Sequence, residues 1–228
     1  MSTMFPKSIA CCICGTISPV YEIASTSIFG SPDLDTRPPE MQRSTIKYWI
    51  QRCPTCGYCS RDLTEAHKIT EKILAESTYQ YQLNHGNYSK LANSFLCLSM
   101  IENAAKKYSS TTWALIHAAW VCDDDDKLLQ AKECRVRAAK MLILSEENSQ
   151  LVSEQPFGSY CILLDLLRRS EQFAEANKLI DKHFFKLEDY VMQKIFNFQL
   201  HLIENNDLRC YTIEDAMNFE NSTSDDKL

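Results

Sequence analysis

Two short runs constrain this chain more than anything else in it: Cys11-Cys-Ile-Cys14-Gly15 and Cys53-Pro-Thr-Cys56-Gly57. Each is a Cys-x-x-Cys pair followed by glycine, which lets the chain turn back so that backbone N–H groups point at the sulfurs. Two pairs supply four thiolates, enough to complete a tetrahedral zinc site with bonds of about 2.3 Å. The spacing therefore predicts Cys11, Cys14, Cys53 and Cys56 as ligands of one Zn2+ ion, held in a small β unit, a zinc ribbon. A closed set of four leaves no position for a reactive water, so the zinc reads as structural. Two neighbours keep alternatives open. Cys12 adjoins Cys11, although Cys12-x-Cys14 is shorter than the usual knuckle, and Cys59 follows Cys56 by three residues.

The remaining cysteines set the compartment. There are eleven, an odd number, in a pattern of close pairs near the N-terminus and singles beyond. That argues for metal binding in a reducing, cytoplasmic setting rather than a disulfide framework. The N-terminus shows no long apolar stretch of a signal peptide, and no apolar run reaches the ~18 residues of a membrane span. A formal net charge of −6 argues against bulk attraction to nucleic acid or an anionic membrane. It favours basic or amphipathic protein segments as partners.

Composition shifts near residue 60. Most of the proline and glycine lies before it, with β-prone runs over Thr16–Ile23 and Ile46–Arg52. Between them runs Phe29-Gly-Ser-Pro-Asp-Leu-Asp-Thr-Arg-Pro-Pro-Glu-Met41, where three prolines forbid a continuous helix. Asp33, Asp35, Arg37, Glu40 and Arg43 read as local ion pairs and turn caps that fasten this loop to the ribbon. After residue 60 helices are expected over about 62–80, 89–107, 113–121, 123–145, 159–169, 172–185 and 188–204. Ser109-Ser-Thr-Thr112 reads as a cap, and the run Asp123–Asp126 reads as the capped start of the next helix. The expected fold is mainly α: a zinc ribbon with a proline-rich loop over 1–60, antiparallel helix pairs over 61–210, and a polar, disordered tail over 211–228.

Several resemblances sharpen this. Tyr160, Leu163, Leu164, Leu167, Phe173, Ala176 and Ile180 fall at the packing positions of a tetratricopeptide repeat, and Trp113, Ile116, His117 and Trp120 begin a weaker copy. The paired knuckles also resemble rubredoxins, which hold one iron in four thiolates, so Fe is the alternative metal and electron transfer the alternative role. The stretch from Cys11 to Cys59, with its Pro-rich loop and Tyr48-Trp-Ile-Gln-Arg-Cys-Pro-Thr-Cys-Gly-Tyr58, resembles bacterial zinc-ribbon proteins of the domain of unknown function 2225. That resemblance implies Cys11, Cys14, Cys53 and Cys56 as ligands and implies no reaction.

No His-Glu-x-x-His pair, phosphate loop or nucleophile elbow occurs. No catalytic or cofactor-binding residue stands out, and whether the chain is an enzyme is left open, with a non-enzymatic role favoured. His117 reads as a satisfied core histidine, and Trp113, Trp120, Tyr160 and Phe173 as core aromatics. The sequence thus supports a zinc-stabilised module whose helix pairs bind a protein or peptide. Nucleic-acid binding through Arg43, Lys47, Arg52 and Arg61 is a further alternative.

Overall fold

The computed structural model describes residues 2–184 and 187–219. It begins with two antiparallel hairpins. In the first, β1 (Ser2–Ala10) pairs with β2 (Ile17–Thr26), and in the second, β3 (Gln51–Arg52) pairs with β4 (Cys59–Ser60). The loop of each hairpin is one Cys-x-x-Cys-Gly run. β2 accounts for the expected strand over Thr16–Ile23. Its partner β1 carries little strand signal, because Pro6 interrupts it and only Ile9 in it is buried. Pro6 and Pro19 each remove an amide donor, which discourages a third strand from adding to this ribbon.

The expected strand over Ile46–Arg52 is largely overturned. Arg43–Tyr48 forms a 3-10 helix, and only Gln51 and Arg52 are extended. The Thr45 hydroxyl donates to the Gln42 carbonyl at 2.7 Å and accepts from the Trp49 indole N–H at 2.8 Å. Those bonds close a tight turn that still buries the β-branched Thr45 and Ile46.

Helices fill the rest: α1 (Thr70–Leu74), α2 (Ser77–Leu83), α3 (Lys90–Ala104), α4 (Tyr108–Asp124), α5 (Leu128–Glu147), α6 (Gly158–Arg169), α7 (Phe173–His183), α8 (Tyr190–Glu204) and α9 (Ile213–Asn218). They pack in chain order, α3 on α4, α4 on α5, α5 on α6, and α6 on α7 and α8. Five of them end in one way. Lys106, Asp126, Ser149, Glu171 and Asn206 adopt the left-handed conformation. The next residue's N–H then reaches back five positions, as from Lys107 to Glu102, Lys127 to Cys122 and Gln172 to Leu167. This turn satisfies the last carbonyls of each helix. None of the five is glycine, so each end carries a backbone cost of roughly 1–2 kcal/mol.

Three further expectations change. The helix expected from about residue 62 starts only at Thr70, because Asp62 accepts from the Thr64 amide and hydroxyl in a turn, and it breaks again between α1 and α2. The Ser109–Thr112 run lies inside α4 rather than capping it. The aspartate run ends α4 instead of starting α5. Carboxylates oppose the dipole at a helix C-terminus, and here arginines offset them. Asp123 pairs with Arg135 and Arg169, and Asp124 with Arg37 at 2.6 Å. Burial alone would raise Asp123, but the two guanidiniums outweigh it and hold its carboxyl below the ordinary value.

The tail expected from residue 211 also gives way. Thr212 caps α9 in a reciprocal capping box with Asp215, and the remainder, 220–228, lies outside the described residues.

One apolar core runs through both regions, from Ile9, Cys11, Leu34 and Cys53 to Phe95, Trp120, Leu142, Leu164 and Phe196. The proline-rich loop is part of it. Leu34 is 2% exposed and Asp35 1%. Asp35 accepts from the Trp120 indole N–H at 2.7 Å and faces Arg169 at 3.6 Å. Burial, and then the neighbouring Asp165, push its carboxyl upward. On its other side the loop pairs with the C-terminal segment: Leu34 N–H donates to the Tyr211 carbonyl and Ile213 N–H to that of Pro32, both at 2.9 Å. Locally Arg43 pairs with Asp33 at 2.5 Å and the Ser44 hydroxyl donates to Glu40 at 2.6 Å, whereas Asp35 and Arg37 reach the helices.

His117 lies among the rings of Trp49, Phe95, Trp113 and Trp120, with centroids 5.0–5.9 Å away. Among the described residues no hydrogen bond reaches its imidazole, and the side chain is half-buried. Desolvation, with Arg61 adding repulsion, lowers its pKa to about 3.

Two outcomes follow. Leu34→Ala should cost about 2–5 kcal/mol in urea unfolding, as for other buried leucines. His117 stays neutral in the fold and protonates in the unfolded chain, so it draws stability away as pH falls from about 6.5 toward 3. His117→Phe should flatten the pH dependence of unfolding between pH 4 and 6.5, and an unchanged profile would refute this assignment.

Candidate metal centre

Each knuckle is shaped by the same backbone bonds. Cys11 N–H donates to Thr16 O at 3.0 Å and Gly15 N–H to Cys11 O at 2.8 Å. Cys53 N–H donates to Tyr58 O at 2.8 Å and Gly57 N–H to Cys53 O at 3.1 Å. Both turns need a left-handed residue, supplied by Gly15 at φ 72° and Gly57 at φ 75°. At Gly57 space is decisive too, because a Cβ there would lie 2.3 Å from Leu83 Cδ2.

The knuckles face each other across an approximate twofold relation. Cys11 Sγ lies 3.7 Å from Cys56 Sγ, and Cys14 Sγ lies 3.5 Å from Cys53 Sγ. All four sulfurs lie within 4.8 Å of one another. Bonds of about 2.3 Å at tetrahedral angles would place the sulfurs ~3.8 Å apart, so the set is close enough to hold one metal ion.

The thiols differ in surroundings. Cys11 and Cys53 are buried, Cys56 is half-buried and Cys14 is exposed. Burial pushes the Cys11 and Cys56 thiols up. Cys14 is lowered to about 6 by hydrogen bonds with the Thr16 hydroxyl and backbone. The Thr16 hydroxyl donates onward to Thr55 at 3.0 Å and so ties one knuckle to the other. A cation among the sulfurs would favour the thiolate at every one of them.

The two spare cysteines lie apart from this set. Cys12 is exposed, and its amide donates to Leu63 O at 2.9 Å. Cys59 is fully buried, with its thiol toward Gly57 O at 3.3 Å. That carbonyl also accepts the Tyr79 hydroxyl at 3.0 Å, so α2 holds the second knuckle from behind. Cys97, Cys122, Cys134 and Cys161 are buried in helices as small hydrophobes.

The arginine–aspartate network behind the loop is the part of the structure that sequence reasoning does not reach. Arg168 is fully buried. It donates to Gln199 at 2.6 Å, to Asp165 at 2.7 Å and to the carbonyls of Asp207 and Arg209 at 2.5 and 3.0 Å. Its sequence signals are the arginine pair 168 and 169 that ends α6 and Asp165, three residues before Arg168.

No curated protein and no solved structure matches the chain. A family model described as an uncharacterised protein conserved in bacteria, DUF2225, matches residues 4–195. With most of the chain inside that match, and with the paired cysteine knuckles and helical region in place, the chain belongs to the DUF2225 family.

Proposed function

We propose that Cys11, Cys14, Cys53 and Cys56 hold one structural zinc ion and that the chain is a non-enzymatic, cytoplasmic protein-interaction module. The observation that carries the first half is the closed set of four sulfurs within 4.8 Å. Four protein ligands complete a tetrahedral zinc and leave it no substrate position. Eleven free cysteines support a reducing compartment. Among the described residues no helix is long and apolar enough to cross a membrane.

The interaction role draws support from the helices. The recurring left-handed turn joins successive helices, and the small Ala176 of α7 is fully buried, as tetratricopeptide-like stacking requires. Such stacks leave a long surface for a partner. The nucleic-acid alternative loses part of its patch. Arg43 is spent on Asp33 and the Pro38 carbonyl, and Arg52 on the Leu83 carbonyl.

Purified protein should contain about one zinc per chain by elemental analysis and should be colourless. Stoichiometric iron with thiolate-to-iron absorption would replace this reading with electron transfer. Cys53→Ser or Cys56→Ser should release the metal and loosen the first hairpin, since so small a unit has little core of its own. Cys59→Ser should keep the metal, and the reverse pattern would overturn the ligand assignment. Affinity capture with the full chain should recover a defined protein after nuclease treatment. Recovery of nucleic acid alone would sink the interaction role.

A further inference from the structure

A groove of about 380 Å³ lies between β2 and the segment that carries the end of the 3-10 helix and β3. That volume lies within the ~300–1,000 Å³ range of ligand sites. Pro19, Val20, Ile50 and the rings of Tyr21 and Tyr48 give it apolar walls. Two of its lining residues are charged, Lys47 and Arg52, and no carboxylate is among them. Among the described residues neither cation has a carboxylate within ion-pair distance. Lys47 Nζ sits over the Tyr48 ring, 5.1 Å from its centroid. Arg52 Nη1 donates to the Leu83 carbonyl at 3.1 Å, which orients the guanidinium, keeps its charge and leaves Nε and Nη2 unbonded.

Other donors here are unengaged as well. Among the described residues no hydrogen bond uses the hydroxyls of Tyr21 and Tyr48. Gln51 turns its Oε1 to the Leu63 amide at 2.9 Å, which leaves its Nε2 free to donate. The surroundings do not cancel this bias. Beyond Tyr21 and Tyr48 the charges balance, with Lys7 on Glu22 at 2.7 Å and Arg61 matched by Asp62. Zinc in four thiolates would give the neighbouring centre two excess negative charges, but none of its cysteines lines the groove, and neither cation bonds to a sulfur. Two cations without counter-ions match the roughly two negative charges of a phosphate monoester at neutral pH, and an oriented guanidinium suits its paired oxygens. Tyr21 is 51% exposed and offers a ring face for stacking. The Gln51 amide would meet an acceptor on the edge of a stacked ring, which a nucleobase has and a phenyl group lacks.

We propose that this groove binds a nucleoside monophosphate, with its phosphate on Lys47 and Arg52 and its base on Tyr21 within reach of Gln51. The site lies on the ribbon side of the molecule and stands or falls separately from the protein-binding role of the helices.

The test is isothermal titration calorimetry of the full-length protein with its native metal, against the four common nucleoside monophosphates. The matching nucleosides, inorganic phosphate and phenyl phosphate serve as comparisons. At least one nucleoside monophosphate should bind roughly tenfold or more tightly than every comparison and should weaken with added salt. Lys47→Glu should weaken it roughly tenfold or more, and Tyr21→Ser several-fold, with metal content and thermal unfolding unchanged in both. Lys178→Glu, the same charge change on the exposed side of α7, should bind like wild type. Absence of binding, equal binding of inorganic or phenyl phosphate, or a Lys47→Glu variant that binds like wild type would each overturn the assignment. A phosphorylated octanucleotide that binds more than roughly tenfold tighter through the same residues would overturn the free-nucleotide reading and make the groove a seat for a strand.

Discussion

Asp35 is a carboxylate held where water does not reach, and much of the molecule is arranged to meet it. An isolated buried charge is prohibitively costly, so donors must be brought to it. They come from two helices that are far away in sequence, the Trp120 indole of α4 and the Arg169 guanidinium of α6. Arg169 then also faces Asp123 and Asp165, and its neighbour Arg168 holds the chain after α8. Replacing such a network with apolar groups is often neutral or stabilising, whereas removing one member leaves a stranded charge. The loop, α4, α6 and the C-terminal segment are thus tied together by shared ion pairs, and removing one member strands its partners.

The metal centre sits at the edge of this arrangement and depends on it from one side. The first knuckle is the loop of an exposed hairpin, in which Phe5, Ile17 and Tyr21 face solvent. The second is fixed from behind by Tyr79 and Leu83 of α2. The four sulfurs thus join this largely exposed hairpin to a part packed on the helical core. A metal ion there would fasten the first hairpin beyond the hold of buried Ile9, the Cys12–Leu63 bond and the Tyr21–Tyr48 ring pair.

How much of this was legible in the sequence follows from the range of each interaction. The knuckles announce themselves because their geometry lies within five residues, and the mainly helical character shows in long apolar patterns broken by polar turns. The helix ends are harder to see. Lys106 and Glu171 occupy positions where glycine is the ordinary marker, so nothing in their identity says that a helix stops. The aspartate run reads as a helix start because capping is local. Its actual partners, Arg37, Arg135 and Arg169, come from three other elements. β1 is silent for a similar reason, since a strand exposed on both faces has no alternation to display. The loop's burial could not be read at all, because its polar residues look solvated until the helices supply their partners.

The pairing of residues 32–34 with residues 211–213 has a consequence for the order of assembly. These segments are separated by nearly the whole length of the described chain. Contacts so distant in sequence form late and slow folding, because the intervening chain must be ordered before they reward it. During synthesis the loop emerges early with Leu34 and Asp35 exposed, and Trp120, Arg169 and Tyr211 follow one after another. The nascent chain therefore carries an open apolar and acidic segment until its last helix is made. A ribosome stalled before residue 211 would hold a chain in which α1 to α8 are made but the latch, and α9 beyond it, are still missing.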